Sequence, residues 1–177
     1  AGIDRAVDIL QQAGHRVETV PTEGPGSAAG IVAGCMRGGA DLILVAGGDG
    51  TINETVNGMI GEQVPLGILP AGTANVLATE LGLTGNWVEA ARDVGSWVPR
   101  RIPAGRLTAG PEGQRRHFLM LAGVGLDAHI VRNVDPKLKR FQGKLSYWLA
   151  ALGEFRRKLD EFEVLAAGAR YRVSFAL

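Results

Sequence analysis

The sequence predicts an α/β protein, with a doubly wound N-terminal domain followed by the start of a β-rich second domain. Three observations lead there. Short continuous apolar runs alternate with runs of helical period over roughly the first 96 residues. One of those apolar runs, Asp41-Leu42-Ile43-Leu44-Val45-Ala46, passes straight into a glycine-rich loop. Beyond residue 98 the pattern changes to paired strand-like segments around turns. The predicted domains are therefore 1–98 and 99–177.

Residues 3–13 place Ile3, Val7 and Leu10 on one helical stripe, and Gly14 ends it as a C-cap would. Residues 16–20, Arg16-Val17-Glu18-Thr19-Val20, alternate apolar and polar and predict a strand. Pro21 to Gly26 reads as a loop, and Ser27 is placed to N-cap a helix over 27–37. The run 41–46 predicts a strand buried on both faces of a parallel sheet. A helix follows from about Ile52 to Ile60, then a second buried strand at 66–69. Pro70-Ala71-Gly72 is a turn, and Thr73 is placed to cap a helix through Leu81 that Gly82 closes. Residues 87–96 return to helical pattern. This alternation implies right-handed crossovers. Strands at 100–109 and 116–122 flank the turn Gly110-Pro111-Glu112-Gly113. A helical stretch runs from about Leu126 to Phe155, broken near Pro136 and Gly143. Strands at 161–166 and 170–177 flank Ala167-Gly168.

Composition excludes several classes of function. With 177 residues, 46% hydrophobic and 21% charged, the chain can build a core and is not a disordered segment. Its 26 glycines fall at the ends of apolar runs, which signals tight turns and close backbone approaches. A net charge of +1 is not the strongly basic footprint of a nucleic-acid binder. No apolar run approaches the roughly 18 residues of a transmembrane helix, and no signal peptide is visible. Cys35 is the only cysteine, so an internal disulfide is excluded; it reads as a structural thiol and fits a reducing cytosol. The sequence opens inside a helix and stops inside a strand, so it is expected to be cut at both ends.

The chemistry centres on Gly47-Gly48-Asp49-Gly50-Thr51. A buried strand delivering this loop onto a helix start puts it at the carboxyl edge of the sheet, where open α/β sheets bind ligands. The glycines lack the Cβ atoms that would keep a phosphate from the backbone N–H groups, and the helix start adds partial positive charge. Thr51 adds a hydroxyl. Asp49 would repel phosphates unless it binds a metal they carry or accepts a proton from an attacking hydroxyl. The plain alternative is a glycine-rich turn with Asp49 as N-cap. The loop fits neither the dinucleotide fingerprint nor a Walker loop.

Three ordered blocks carry a family resemblance. Gly47 to Glu54 with Val56-Asn57-Gly58 resembles the signature of diacylglycerol kinase catalytic domains, which include bacterial lipid kinases and sphingosine and ceramide kinases. Its Gly-Gly-Asp-Gly core is shared with NAD kinases and phosphofructokinases. Leu66-Gly67-Ile68-Leu69-Pro70-Ala71-Gly72-Thr73-Ala74-Asn75 resembles the lipid-kinase motif at the same spacing, where NAD kinases differ. Ala122-Gly123-Val124-Gly125-Leu126-Asp127-Ala128, then Lys139-Arg140 to Gly143-Lys144 and Tyr147, is similar to the family's entry into its second domain. The resemblance implies a phosphofructokinase/NAD-kinase-like first domain and an enzyme that transfers the γ-phosphoryl of ATP, with Mg2+, to a lipid hydroxyl such as that of diacylglycerol.

Residue by residue, the resemblance implies that Gly47, Gly48, Asp49, Gly50, Thr51, Ile52 and Asn53 line the ATP phosphates. Thr22, Gly72, Thr73 and Asn75 would also meet nucleotide, Asp49 would be catalytic or magnesium-organising, and Asp127 would contact the lipid head group. Plainer roles stand beside these: capping or exposure for Asn53 and Glu54, capping for Asn75 and for Asp127. His15, His117 and His129 have no metal-ligand spacing, and no protein metal site is expected. The basic stretch 132–144, with Phe141, Tyr147 and Trp148, is a solvated helix face or a segment that meets anionic lipid.

Two departures stand out. The family's first strand with its Asn-Pro phosphate loop does not precede Ala1, and its late Asp-Gly-Glu/Asp base segment and metal-binding segment do not occur within 177 residues. The activity of the isolated chain is thereby left open. The expected setting is cytoplasmic and peripheral to a membrane in phospholipid synthesis, with no nucleic acid; a homodimer is compatible with it. The competing readings are a NAD-kinase-like soluble kinase and a non-catalytic nucleotide- or lipid-sensing module.

Overall fold

The computed structural model describes residues 2–72, 74–83, 87–109, 113–125, 161–173 and 175–176. Helix α1 (Gly2–Gln12) buries Ala6 and Leu10, one turn apart on a single face. Helix α2 (Ala28–Arg37) buries Ala28 and Val32 with the same spacing. Strand β1 (Ile43–Gly47), helix α3 (Asp49–Met59) and strand β2 (Leu66–Pro70) form a βαβ unit. The strands are parallel, in register from Ile43 opposite Leu66 to Gly47 opposite Pro70. Helix α4 (Val76–Glu80) and helix α5 (Trp87–Asp93) follow, the latter tightening into a 3-10 turn at Val94–Ser96. Helices α1, α2 and α4 end in the same closure: Gly14, Gly39 and Gly82 adopt positive φ, and the next N–H reaches back five residues to a helix carbonyl.

Side chains on successive strand positions enter different cores, so helices cover both faces of the parallel pair. Val45 and Ile68 pack with Ile52 of α3 and with Leu77 and Ala78 of α4. Leu44, from the other face, joins Leu10 and Ala6 of α1 and Ala91 of α5. Gly67 lies opposite Leu44 in the register, and a Cβ there would strike Leu44 Cδ2 and the Trp97 ring. The bare backbone lets Trp97 close that core.

Two predicted elements differ. Residues 16–20 form no ladder: Arg16, Glu18, Thr19 and Val20 are exposed, and only Val17 is half-buried, beside Leu42 and Leu44. A period of two specifies a face but supplies no hydrogen-bonding neighbour. Helix α4 starts at Val76, with Asn75 and not Thr73 at its cap position, because Asn75 adopts the left-handed conformation (φ 47, ψ 48) and interrupts helical backbone.

Strands β3 (Gly105–Ala109) and β4 (Gln114–Phe118) pair antiparallel, with Gly105 directly beneath the Phe118 ring. By packing, the chain divides into Ala1–Met120 and Leu121–Leu177. The β3–β4 hairpin, which the sequence assigns beyond residue 98, thus packs with the α/β layer. In the second unit, β5 (Val124–Gly125) pairs with β8 (Phe175–Ala176), and β6 (Phe162–Ala166) with β7 (Ala169–Val173). Ala167 and Gly168 both have positive φ, 50 and 80, as a two-residue hairpin of this twist requires. The helical stretch expected over 126–155, including the basic segment 132–144, lies outside the described residues. Among the described residues, no helix is long and apolar enough to cross a membrane.

Candidate functional site

Strands β1 and β2 end at Gly47 and Pro70, which are paired in register, so the loops that follow leave the sheet side by side at its carboxyl edge. Ala71 N–H donates to the Gly47 carbonyl at 3.0 Å and extends the pairing past the strand ends. The two backbones then meet. A Cβ added at Gly72 would stand 2.5 Å from Gly48 Cα, and one at Gly48 would stand 3.0 Å from Gly72 Cα. A Cβ at Gly47 would be 2.8 Å from Thr51 Cβ. Gly48 and Gly72 are therefore required by the contact between the two motifs, and Gly47 by the packing of Thr51 over it.

Gly48 is the N-cap of α3 in extended conformation, with no side-chain cap. The first intrahelical bond runs from Ile52 N–H to the Gly48 carbonyl at 3.0 Å. The N–H groups of Asp49, Gly50 and Thr51 precede it, and helix geometry leaves them without intrahelical acceptors at the positive end of the dipole. Gly50 is exposed, and a Cβ there would meet nothing within 4 Å. The side of Gly50 where a Cβ would stand is thus open, in the same helix turn as these backbone donors. Thr51 and Asn53 are half-buried. Ile52 is placed otherwise than the resemblance implied: it is 2% exposed and its N–H is bonded within the helix, so it anchors the loop from the core.

Asp49 is half-buried, and its Oδ1 accepts the Leu77 N–H at 3.4 Å. It reaches across to the start of α4 instead of capping its own helix. Asn75 shapes the second loop. Its Oδ1 accepts Gly72 N–H at 2.7 Å while its Nδ2 donates to the Gly72 carbonyl at 2.7 Å. Its side-chain amide is thus engaged within the loop. Trp87 Nε1 donates to the Pro70 carbonyl at 2.6 Å and pins the end of β2. Thr73 and Asp127 lie outside the described residues.

Thr22 is exposed on the loop before α2. Ser27 does not cap α2 as expected. Its hydroxyl accepts from the N–H groups of Glu23 (3.2 Å) and Gly24 (3.3 Å) and donates to the Gly24 carbonyl (2.6 Å), folding the Thr22 loop. The vacated role falls to Glu54 of α3, whose Oε2 accepts the Ala28 N–H at 3.4 Å. The α2 and α3 backbones cross at Gly58, where a Cβ would lie 2.5 Å from Val32 Cγ1 and would strike the Ala29 carbonyl. Sequence reasoning assigned no role to Gly58 or Trp87 and left Glu54 as capping or exposed.

Among the described residues, no group of three or more His, Cys, Asp or Glu gathers as a metal site. Asp49 is the carboxylate of the loop, a donor set that suits a magnesium ion brought in by phosphates, since such ions take one or two carboxylates plus phosphate oxygens. A surface cavity lined by Gly2, Arg5, Trp87, Val88 and Arg92 contains no residue of the two loops.

A family model for the diacylglycerol kinase catalytic domain matches residues 1–107. The chain is 34% identical over 146 residues to a diacylglycerol kinase of Bacillus subtilis (strain 168), covering 81% of this chain and 46% of that protein. It is 34% identical over 154 residues to a YegS-like probable lipid kinase of Chromohalobacter salexigens, covering 85% and 48%. Among solved structures, it is similar to a diacylglycerol kinase from Bacillus anthracis str. Sterne, with a TM-score of 0.65 and 25% identity over 98% of this chain and 56% of that one. The chain spans about half the length of the curated relatives it matches.

Proposed function

The chain belongs to the diacylglycerol kinase catalytic-domain family, and from that premise we propose that it is the nucleotide-binding portion of an ATP-dependent lipid kinase. The observation that carries this reading is the meeting of the two glycine loops at the carboxyl edge of β1 and β2, with free helix N–H groups and open space at Gly50. The phosphates of ATP are placed against the N–H groups of Asp49, Gly50 and Thr51. The Thr51 hydroxyl, Asn53, Gly72, Thr73, Asn75 and Thr22 are assigned to the same nucleotide. The layer of helices on both faces of a parallel pair supports a doubly wound, phosphofructokinase/NAD-kinase-like arrangement.

In such a transfer the protein positions the reactants and stabilises charge, because the transferred phosphoryl passes through a loose transition state. Magnesium, when bound, neutralises charge on the phosphates. The α3 donors and dipole hold negative charge that grows on the leaving phosphate. Asp49, fixed by the Leu77 N–H, orients the metal-bound phosphates or takes the proton of the lipid hydroxyl. Asp127 is assigned to the lipid head group. The acceptor is a lipid alcohol, with diacylglycerol first, and the setting is cytoplasmic at a membrane surface.

The test uses the full-length protein that contains this chain, radiolabelled ATP with Mg2+, and mixed micelles of diacylglycerol, ceramide or sphingosine, with NAD as a parallel acceptor. Label is expected in a lipid. Label in NAD alone would replace this reading by a NAD-kinase-like one. ATP binding with no label in any acceptor would favour a sensing module.

A further inference from the structure

Trp87, the first residue of α5, joins that helix to the end of β2. Its Nε1 donates to the Pro70 carbonyl at 2.6 Å. The backbone bonds show why that carbonyl takes a side-chain partner. Ile43 N–H donates to the Pro65 carbonyl and Ala71 N–H to the Gly47 carbonyl, both at 3.0 Å. The odd-numbered residues of this stretch therefore turn their backbone groups towards β1. Successive strand residues turn theirs to opposite edges, so the Pro70 carbonyl faces the edge away from β1. Proline has no N–H, and the indole carries one donor and no acceptor. A residue with only an acceptor thus meets a ring with only a donor, and the indole stands where the donor of a further strand would.

The ring is held from behind. It packs with the core of Ala6, Leu10, Ala91 and Val94. Gly2 of α1 lies against it, where a Cβ would stand 3.4 Å from Trp87 Cε3. On the other side of the bond, Pro70 is two residues from Gly72, which touches Gly48, the N-cap of α3. A run of contacts thus leads from the α1–α5 core, through the indole and the Pro70 carbonyl, to the start of the helix that carries the Asp49, Gly50 and Thr51 N–H groups. Every member of it belongs to the unit Ala1–Met120.

We propose that Trp87 is a positioning residue of the nucleotide site. Acting through the Pro70 carbonyl, its indole N–H sets where the second glycine loop leaves β2, and so how Gly72 meets Gly48. This rests on the lipid-kinase reading above. Removing the donor frees the root of that loop. A neutral hydrogen bond corresponds to about 2- to 12-fold in an equilibrium constant. Its loss is read in ATP binding because the loop then holds its binding shape for less of the time.

The experiment uses the full-length protein and Trp87→Phe, which keeps an aromatic ring in the core and removes the N–H. Trp87→Met, whose flexible thioether fills irregular gaps, serves if the first does not accumulate folded. Val94→Ala is the control, since it trims the same core and leaves the indole bond in place. The readouts, on folded protein, are Kd for ATP with Mg2+ by calorimetric titration, KM for ATP, kcat at saturating ATP, and Tm. For Trp87→Phe the expected result is a Kd and KM for ATP raised at least about threefold, with kcat within about twofold of wild type. For Val94→Ala it is a lowered Tm with Kd for ATP within about twofold. A smaller rise in Kd for folded Trp87→Phe would overturn the proposal in favour of a bond that serves the core alone. An equal rise in Val94→Ala would overturn it in favour of a general effect of that core. A wild type that binds no ATP would overturn the nucleotide reading itself, whereas wild type and Trp87→Phe binding ATP equally well would sink the role of Trp87 and leave that reading standing.

Discussion

Substituting Gly50 by alanine should stabilise the fold and weaken nucleotide binding together, a pairing expected of a glycine that faces a ligand and not of one that faces protein. Gly50 lies in the first turn of α3, and an added Cβ meets no atom within 4 Å. No packing is disturbed. Alanine is preferred over glycine in a helix by about 0.5–1 kcal/mol. For a domain near this size that raises Tm by about 1–4 °C. The same methyl group is added in the turn that carries the Asp49, Gly50 and Thr51 N–H groups, where the proposed phosphate would bind. Losing one hydrogen bond to a charged phosphate there costs about 1.5–3 kcal/mol, or about 10- to 150-fold in affinity. Calorimetric titration with ATP and Mg2+ reads the affinity, and scanning calorimetry of the same full-length protein reads Tm. A raised Tm with ATP affinity within about twofold of wild type would show Gly50 to be an ordinary helix start, and the phosphate assignment would be lost with it.

Other substitutions test the remaining parts. Asp49→Asn keeps an oxygen for the Leu77 N–H, so the protein should stay folded while lipid phosphorylation falls at least about 100-fold; near-normal turnover would remove Asp49 from the chemistry. Gly58→Ala forces apart the α2–α3 crossing at Ala29 and Val32 and should cost about 1–3 kcal/mol in denaturant titration, with ATP affinity unchanged in the folded fraction; an unshifted midpoint would contradict the close approach. Asn75→Gly retains the left-handed backbone but loses both bonds to Gly72, and should cost about 1–2 kcal/mol and raise KM for ATP; an unchanged KM would show that the loop holds its shape without that amide.

Much of the first domain was legible because its signals are local. The strand at 41–46, the helix after the glycine loop and the glycine closures of α1 and α4 all follow from runs of neighbouring residues. The strand expected at 16–20 failed because alternation cannot tell one packed valine from a paired backbone. The cap of α2 failed for a related reason. Ser27 has the right chemistry in the right place, but its hydroxyl found nearer partners in the preceding loop. The group that replaced it, Glu54, is 26 residues from the Ala28 N–H that it accepts, a distance at which no local pattern points. No local pattern points to a partner for Asn57 either, since that partner is on a strand 60 residues later.

The motifs themselves divide once the packing is known, and the division bears on how such signatures should be read. Gly47 is bare because Thr51 lies over it, Gly48 and Gly72 because they touch, and Gly58 because two helices cross there. Ile52 is core, and Asn75 is occupied with its own loop. Each would be needed for packing even if no ligand ever bound. They are evidence for a shape. What protein packing does not explain is narrower: the open space at Gly50, the unbonded N–H groups at the start of α3, and a carboxylate held between two helix starts. Backbone donors without acceptors beside an empty approach are what an anion requires. An acidic side chain beside an anion is unfavourable unless a cation or a proton transfer accompanies it. The case for phosphate chemistry therefore rests on Gly50 and Asp49 more than on the glycine count.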